Sequence, residues 1–180
     1  MRSRMLSRRV ACRCGGRAVD LFLSHFTQRL DAKGRVSIPA AFRAVLARDA
    51  FEGLYVHPSP DLAALDCGGN ALLGEIKGLL DRLEPYSDER EMFSTALLGT
   101  SEILKVDGEG RIVPGESLKA HAGIAAEVTF VGQGHKFQIW EPRRFRMHLE
   151  EATLRVREMR RQIGSGRAAE VPPRKQGARE

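Results

Sequence analysis

Apolar positions at Leu72, Ile76, Leu79, Leu80 and Leu83 recur at helical spacing, which predicts an amphipathic helix stopped by Pro85. Ser87 is placed to cap a second helix running to about Leu98, with Met92, Phe93, Ala96 and Leu97 available for a core. Earlier, Leu21 to Ile38 reads as two strands around a tight turn, the second strand closed by Pro39, which has no N–H to give to a ladder. Phe42, Val45 and Leu46 then share one face of a short helix, and Leu54-Tyr55-Val56-His57 is a compact extended run. Ser59-Pro60 has the chemistry of a helix start, predicting a short helix to Asp66, and Cys67-Gly68-Gly69-Asn70 reads as a loop. In the second half Gly123 is placed as a helix C-cap. Glu127 to Val131 is extended, and Val131 to Trp140 reads as a hairpin around Gly132-Gln133-Gly134. From Pro142 a helix carries Phe145, Leu149, Ala152, Val156, Met159 and Ile163 at alternating spacings of four and three. Such a stripe either covers its own domain's core or pairs with a neighbouring subunit.

Two stretches share a pattern. Leu30-Asp31-Ala32-Lys33-Gly34-Arg35-Val36 and Val106-Asp107-Gly108-Glu109-Gly110-Arg111-Ile112 both read apolar, Asp, two variable residues, Gly, Arg, apolar. The Asp side chain can bond the turn's own backbone, and Gly accepts a positive φ. The register extends at a constant offset of 76 residues, placing Phe42 on Leu118 and Arg43 on Lys119. Duplication within one domain explains this better than two unrelated turns.

Charge alters the picture chiefly through its distribution. The net charge is +6 and the pI about 9.6, which invites a nucleic-acid reading. Yet residues 1–20 carry six Arg against one Asp, and residues 141–180 carry eleven basic against six acidic groups. Residues 21–140 are left with twelve basic and sixteen acidic. A body of that composition binds DNA only through a local basic face. The acidic surface at Asp81, Glu84, Asp88, Glu89 and Glu91 would repel a phosphate backbone, so DNA is expected elsewhere.

Other chemistries find little support. Cys12, Cys14 and Cys67 form no paired CxxC motif, arguing against both a disulfide framework and a zinc site. The five His (25, 57, 121, 135, 148) show no metal spacing, and no Ser or Cys stands in a nucleophile elbow. No catalytic residue, no metal site, no cofactor and no small-molecule substrate is expected. No run of about 18 apolar residues suggests a membrane span, and the arginine-bearing N-terminus lacks the apolar centre of a secretory signal. A reducing cytoplasm is the expected compartment.

The residues quoted, together with His121-Ala122-Gly123 and Val131-Gly132-Gln133-Gly134-His135-Lys136-Phe137-Gln138-Ile139-Trp140-Glu141, resemble the MraZ family, bacterial regulators built from two SpoVT/AbrB-like halves. One departure is that Pro114-Gly115 stands where the first copy has Ile38-Pro39. The resemblance implies an α+β fold: two tandem AbrB-like hairpin/helix halves forming one pseudo-symmetric, β-barrel-like domain, with bridging helices and a C-terminal helix. The expected divisions are 1–20, a basic disordered extension or a start assigned too early; 21–70, the first half; 71–98, the bridging helices; 99–141, the second half; 142–163, the C-terminal helix; and 164–180, a disordered basic tail.

The resemblance further implies double-stranded DNA as partner, through direct repeats in the protein's own promoter upstream of the division and cell-wall gene cluster. It implies a ring-shaped homo-oligomer and a cytoplasmic, nucleoid-associated repressor. Lys33, Arg35 and Arg111 are the foremost candidates for DNA contact, followed by Arg29, Arg43 and Lys105. From the residues alone, Arg35 and Arg111 could equally pair with the Asp of their own turns. Glu109 stands where the first turn has Lys33, so the first half is expected to contribute more. A scaffold touching polyanions only through its basic tails is the rival reading.

Overall fold

The computed structural model describes residues 21–168, with side chains through 163. The expectations for residues 1–20 and 169–180, and those for Cys12 and Cys14, lie outside the described residues. The chain divides into two compact units between Glu141 and Pro142.

Among its described residues the first unit contains eight strands: β1 (His25–Arg29), β2 (Val36–Ser37), β3 (Leu54–Pro58), β4 (Ala64–Gly68), β5 (Glu102–Leu104), β6 (Arg111–Ile112), β7 (Glu127–Gly132) and β8 (Phe137–Trp140). Its helices are α1 (Ala40–Asp49), α2 (Asn70–Leu80), α3 (Asp88–Ser94) and α4 (Glu116–Ala122). Six strands form one antiparallel sheet in the order β1-β7-β8-β4-β3-β5, while β2 and β6 pair separately. The barrel-like enclosure expected from the resemblance is therefore corrected to an open sheet with edges at β1 and β5 and a detached two-stranded ribbon. The short strands explain the detachment: β2 ends before Pro39 and β6 before Pro114, so neither extends its ladder.

The first turn forms as expected, with Asp31 N–H donating to Arg35 O and Gly34 N–H to Asp31 O. It does not join a hairpin, however. Its two strands part, β1 pairing with β7 and β2 with β6, because each finds its partner far along the chain. The later hairpin is regular, with β7 and β8 paired around residues 133–136.

Ser59-Pro60 does not start a helix. Residues 64–68 form β4, a central strand held between β3 and β8, in which Ala64, Leu65 and Cys67 are wholly buried. Burial on both faces outweighs local capping chemistry there. The expected loop Cys67 to Asn70 is the end of β4 and the start of α2. Asp49 caps that start, its carboxylate accepting from the Asn70 N–H while its carbonyl accepts from Asn70 Nδ2 at 2.7 Å. A Cβ on Gly69 would overlap the Asp49 carboxylate, so a side chain there would displace the group that caps α2.

Helix α2 buries Leu72, Ile76 and Leu80 and ends at Leu80, ahead of Pro85. Ser87 caps α3 by accepting from the Arg90 N–H, and a π-helical turn, Thr95–Gly99, follows. Leu97 is buried there, but Met92 and Phe93 are exposed rather than in the core. The main core gathers around Phe42, whose ring lies 5.0 Å from Phe137, 5.3 Å from Phe22 and 5.5 Å from Phe26. A second cluster joins Tyr55 to Leu72, Ile76, Leu80 and Leu97.

The second unit is α5, Pro142–Ala168, which continues past Gly164, where the sequence suggested a break. Of its stripe, Leu149, Val156, Met159 and Ile163 are exposed in the single chain. Among the described residues no helix is long and apolar enough to cross a membrane.

Candidate nucleic-acid interface

The two Asp-Gly-Arg turns have the same internal wiring. In the first, Asp31 Oδ1 accepts from the N–H groups of Lys33 (2.8 Å) and Arg35 (3.0 Å), and Oδ2 accepts from Arg35 Nε at 2.6 Å. In the second, Asp107 Oδ1 accepts from Glu109 and Arg111 N–H at 2.9 Å each, and Oδ2 from Arg111 Nε at 2.8 Å. Gly34 and Gly110 hold φ of 72° and 76°, which permits the chain to reverse within reach of a single carboxylate.

These bonds shift the carboxylates downward. The Arg35 backbone N–H is the largest cause for Asp31. Asp107 is lowered to about 2, first by the Arg111 backbone N–H and then by its guanidinium. Arg111 is correspondingly raised, chiefly by its hydrogen bond to Asp107 and in smaller part by the charges of Glu109 and Asp31.

The β2–β6 ribbon decides where the arginines project. Val36 opposes Ile112 and Ser37 opposes Arg111. Val36 and Ile112 are each 1% exposed, so they form the ribbon's inner face. Side chains alternate along a strand, so Arg35, Ser37 and Arg111 share the opposite face. Arg35 and Arg111 are diagonal neighbours on it, a relation that puts Cβ atoms roughly 7 Å apart. Both readings left open for these arginines are thus compatible: each pairs with its own Asp, and each stands on the outward side.

The turns differ in what else holds the guanidinium. Arg35 makes no further hydrogen bond or ion pair among the described residues, whereas Arg111 Nη1 is also bound to Glu109 at 2.6 Å. Lys33 is exposed and its ammonium has no partner among the described residues; Lys105 is in the same condition. Arg29, on edge strand β1, is 85% exposed in its side chain and pairs with Glu127 on β7 at 2.8 Å. Arg43, from α1, reaches across to the second turn and donates from Nη1 to Glu109 O at 3.2 Å.

One cation lies beside the turns without having been among the candidates for DNA contact. Lys119 of α4 has its Nζ 3.8 Å from where a Cβ on Gly34 would stand, beside the first turn. The 76-residue offset, which places Arg43 on Lys119, was the signal that could have found it. Among the described residues, no group of three or more His, Cys, Asp or Glu could hold a metal ion.

Residues 96–162, which contain the second turn, match a family model described as "MraZ protein, putative antitoxin-like". Along nearly its whole length the chain is similar to proteins named Transcriptional regulator MraZ. The one from Beijerinckia indica is 71% identical over 164 residues, covering 90% of this chain and 100% of that protein. That from Xanthobacter autotrophicus is 60% identical, covering 82% and 94%. The more distant protein of Rickettsia akari is 38% identical, covering 79% and 95%. At such identity over almost the full length of these relatives, the chain belongs to the MraZ family.

Proposed function

We propose that the protein is a sequence-specific, DNA-binding transcriptional regulator, a repressor of its own operon in the bacterial division and cell-wall cluster. It binds direct repeats in that promoter as a ring-like homo-oligomer, in the cytoplasm and at the nucleoid. The observation that carries this reading is the placement of Arg35 and Arg111 on one outward face of the β2–β6 ribbon, with the exposed Lys33 at the first turn. The name its relatives carry, Transcriptional regulator, agrees with it.

The physics of the site supports a division of labour. An arginine whose Nε is braced by a carboxylate keeps its terminal nitrogens for a fork onto guanine O6 and N7 or onto phosphate. Lys33 acts as a point charge for phosphate. Arg111 is partly neutralised by Glu109, so the first turn supplies more of the affinity. One subunit offers few such groups on an acidic body, and repetition in a closed assembly raises avidity without new contacts.

The strand order, in which first-half and second-half strands mirror each other about the β8–β4 pair, supports two duplicated halves related by an approximate dyad. Val36 and Ile112, which the 76-residue offset equates, also face each other directly.

Arg35→Ala is expected to weaken specific binding by about 1–3 kcal/mol while the protein stays folded. A mobility-shift titration that finds unchanged affinity refutes the assignment. The net positive charge of residues 1–20 and 164–180 favours one other reading, a scaffold that meets polyanions only through those basic tails. A chain trimmed to residues 21–163 retains DNA binding under the first reading and loses all polyanion affinity under the second.

A further inference from the structure

We infer that Lys119 is a phosphate-contacting residue, and that the DNA-reading unit at the first turn is composite, made of one half's turn and the other half's helix. The inference rests on the DNA-binding reading above and extends it to a residue and an arrangement that the turn motif does not contain.

The observation is a reciprocal exchange. Arg43 and Lys119 are both the fourth residue of their helices, α1 and α4. Arg43 crosses to the glycine of the second turn, where a Cβ on Gly110 would lie 2.3 Å from its Cδ and 2.4 Å from its Nη1. Lys119 crosses to the glycine of the first turn, its Nζ 3.8 Å from the corresponding point on Gly34. Each helix thus sets a cation over the bare backbone of a turn that it does not follow in sequence. Lys119 thus joins Lys33 and Arg35 at the first turn, and Arg43 joins Arg111 at the second.

A clasp that merely holds the halves together is the competing account, and the two turns differ in how well it fits them. Arg43 donates to the Glu109 carbonyl, a contact sufficient for a clasp. Lys119 makes no hydrogen bond to the first turn. Its ion pair, at 2.5 Å, is with Glu116 on its own helix, whose side chain is 92% exposed. A carboxylate so exposed is screened by water and salt, and a phosphate oxygen can take its place on the ammonium at little cost. Burial also favours a positioned group: the Lys119 side chain is only 18% exposed, so its stem is held while its ammonium stays beside the turn.

The test is a salt titration of DNA binding by the full-length protein on a duplex carrying its own promoter repeats, with Lys119→Gln, Glu116→Gln, the double variant and Arg35→Ala compared. One phosphate contact contributes about 0.9 to the slope of log affinity against log salt. Lys119→Gln is therefore expected to lower the slope by about 1 per bound subunit. That corresponds to roughly eightfold weaker binding at 0.1 M salt relative to the 1 M limit, with the ranking of operator sequences unchanged. Glu116→Gln removes the competing carboxylate and is expected to tighten binding, and this gain disappears in the double variant. A clasp would lower the melting temperature, leave the slope unchanged and give no effect of Glu116→Gln. If Arg35→Ala weakens binding while Lys119→Gln changes neither affinity nor slope, the inference is overturned and the regulator reading stands. If Arg35→Ala also leaves affinity unchanged, the regulator reading itself falls.

Discussion

A guanidinium that is both braced and available is the central device of each turn. Asp31 and Asp107 each take two backbone N–H groups on one oxygen and an arginine Nε on the other, so loop shape and side-chain direction depend on the same carboxylate. Lysine cannot reproduce this, having neither Nε nor a planar fork. Arg35→Lys is accordingly expected to keep salt-sensitive nonspecific binding and lose discrimination between operator and scrambled duplexes, measured by competition. The brace also has a pH signature. Asp107 titrates at about 2 in the folded chain against an ordinary 3.8, so folding favours its ionised form. The stability it contributes is present above about 3.8 and is lost as pH falls through about 2. Thermal melts should show Asp107→Ala less stable than the parent at neutral pH, with the gap closing across that acid window.

Among the elements, α1 does the most to seat the turns, because Phe42 anchors it among Phe22, Phe26, Phe130 and Phe137. Those rings come from both ends of the first unit, so Phe42→Ala opens a cavity shared by several strands. A loss of about 3–5 kcal/mol is expected in chemical denaturation. A loss under 1 kcal/mol would mean that the core collapses around the gap. At the start of α2, Gly69→Ala would drive a methyl group into the Asp49 carboxylate that caps the helix. Losing that cap costs about 1 kcal/mol. The melting temperature should fall, and a compensating Asp49→Ala should recover little of it, because the cap is then absent anyway.

Assembly is where single-chain features acquire consequence. The stripe on α5 exposes Leu149, Val156, Met159 and Ile163 along 27 residues of helix, apolar surface of the kind that pairs between subunits. Under the proposed oligomer, Val156→Glu with Met159→Glu should yield smaller particles by light scattering and weaker binding to repeated sites. Affinity for an isolated half-site should barely change, because avidity is lost and the contact is kept. An unchanged particle size would remove this helix from the assembly.

Local chemistry sufficed to read the two turns, their glycines, the Ser87 and Gly123 caps and the stripe Leu72, Ile76 and Leu80 of α2, because each depends on residues within a turn or two of one another. It even supplied the correspondence of Arg43 with Lys119. It failed wherever a distant partner outweighed a nearby signal: Ser59-Pro60 suggested a helix, but β3 and β8 drew residues 64–68 into the centre of a sheet. The first Asp-Gly turn suggested a hairpin, but β1 and β2 found their partners about a hundred and about seventy-five residues away. The shared outward face of Arg35 and Arg111, and the crossing of Lys119 to Gly34, follow from that long-range pairing alone, since strand register is set by which faces can be buried together.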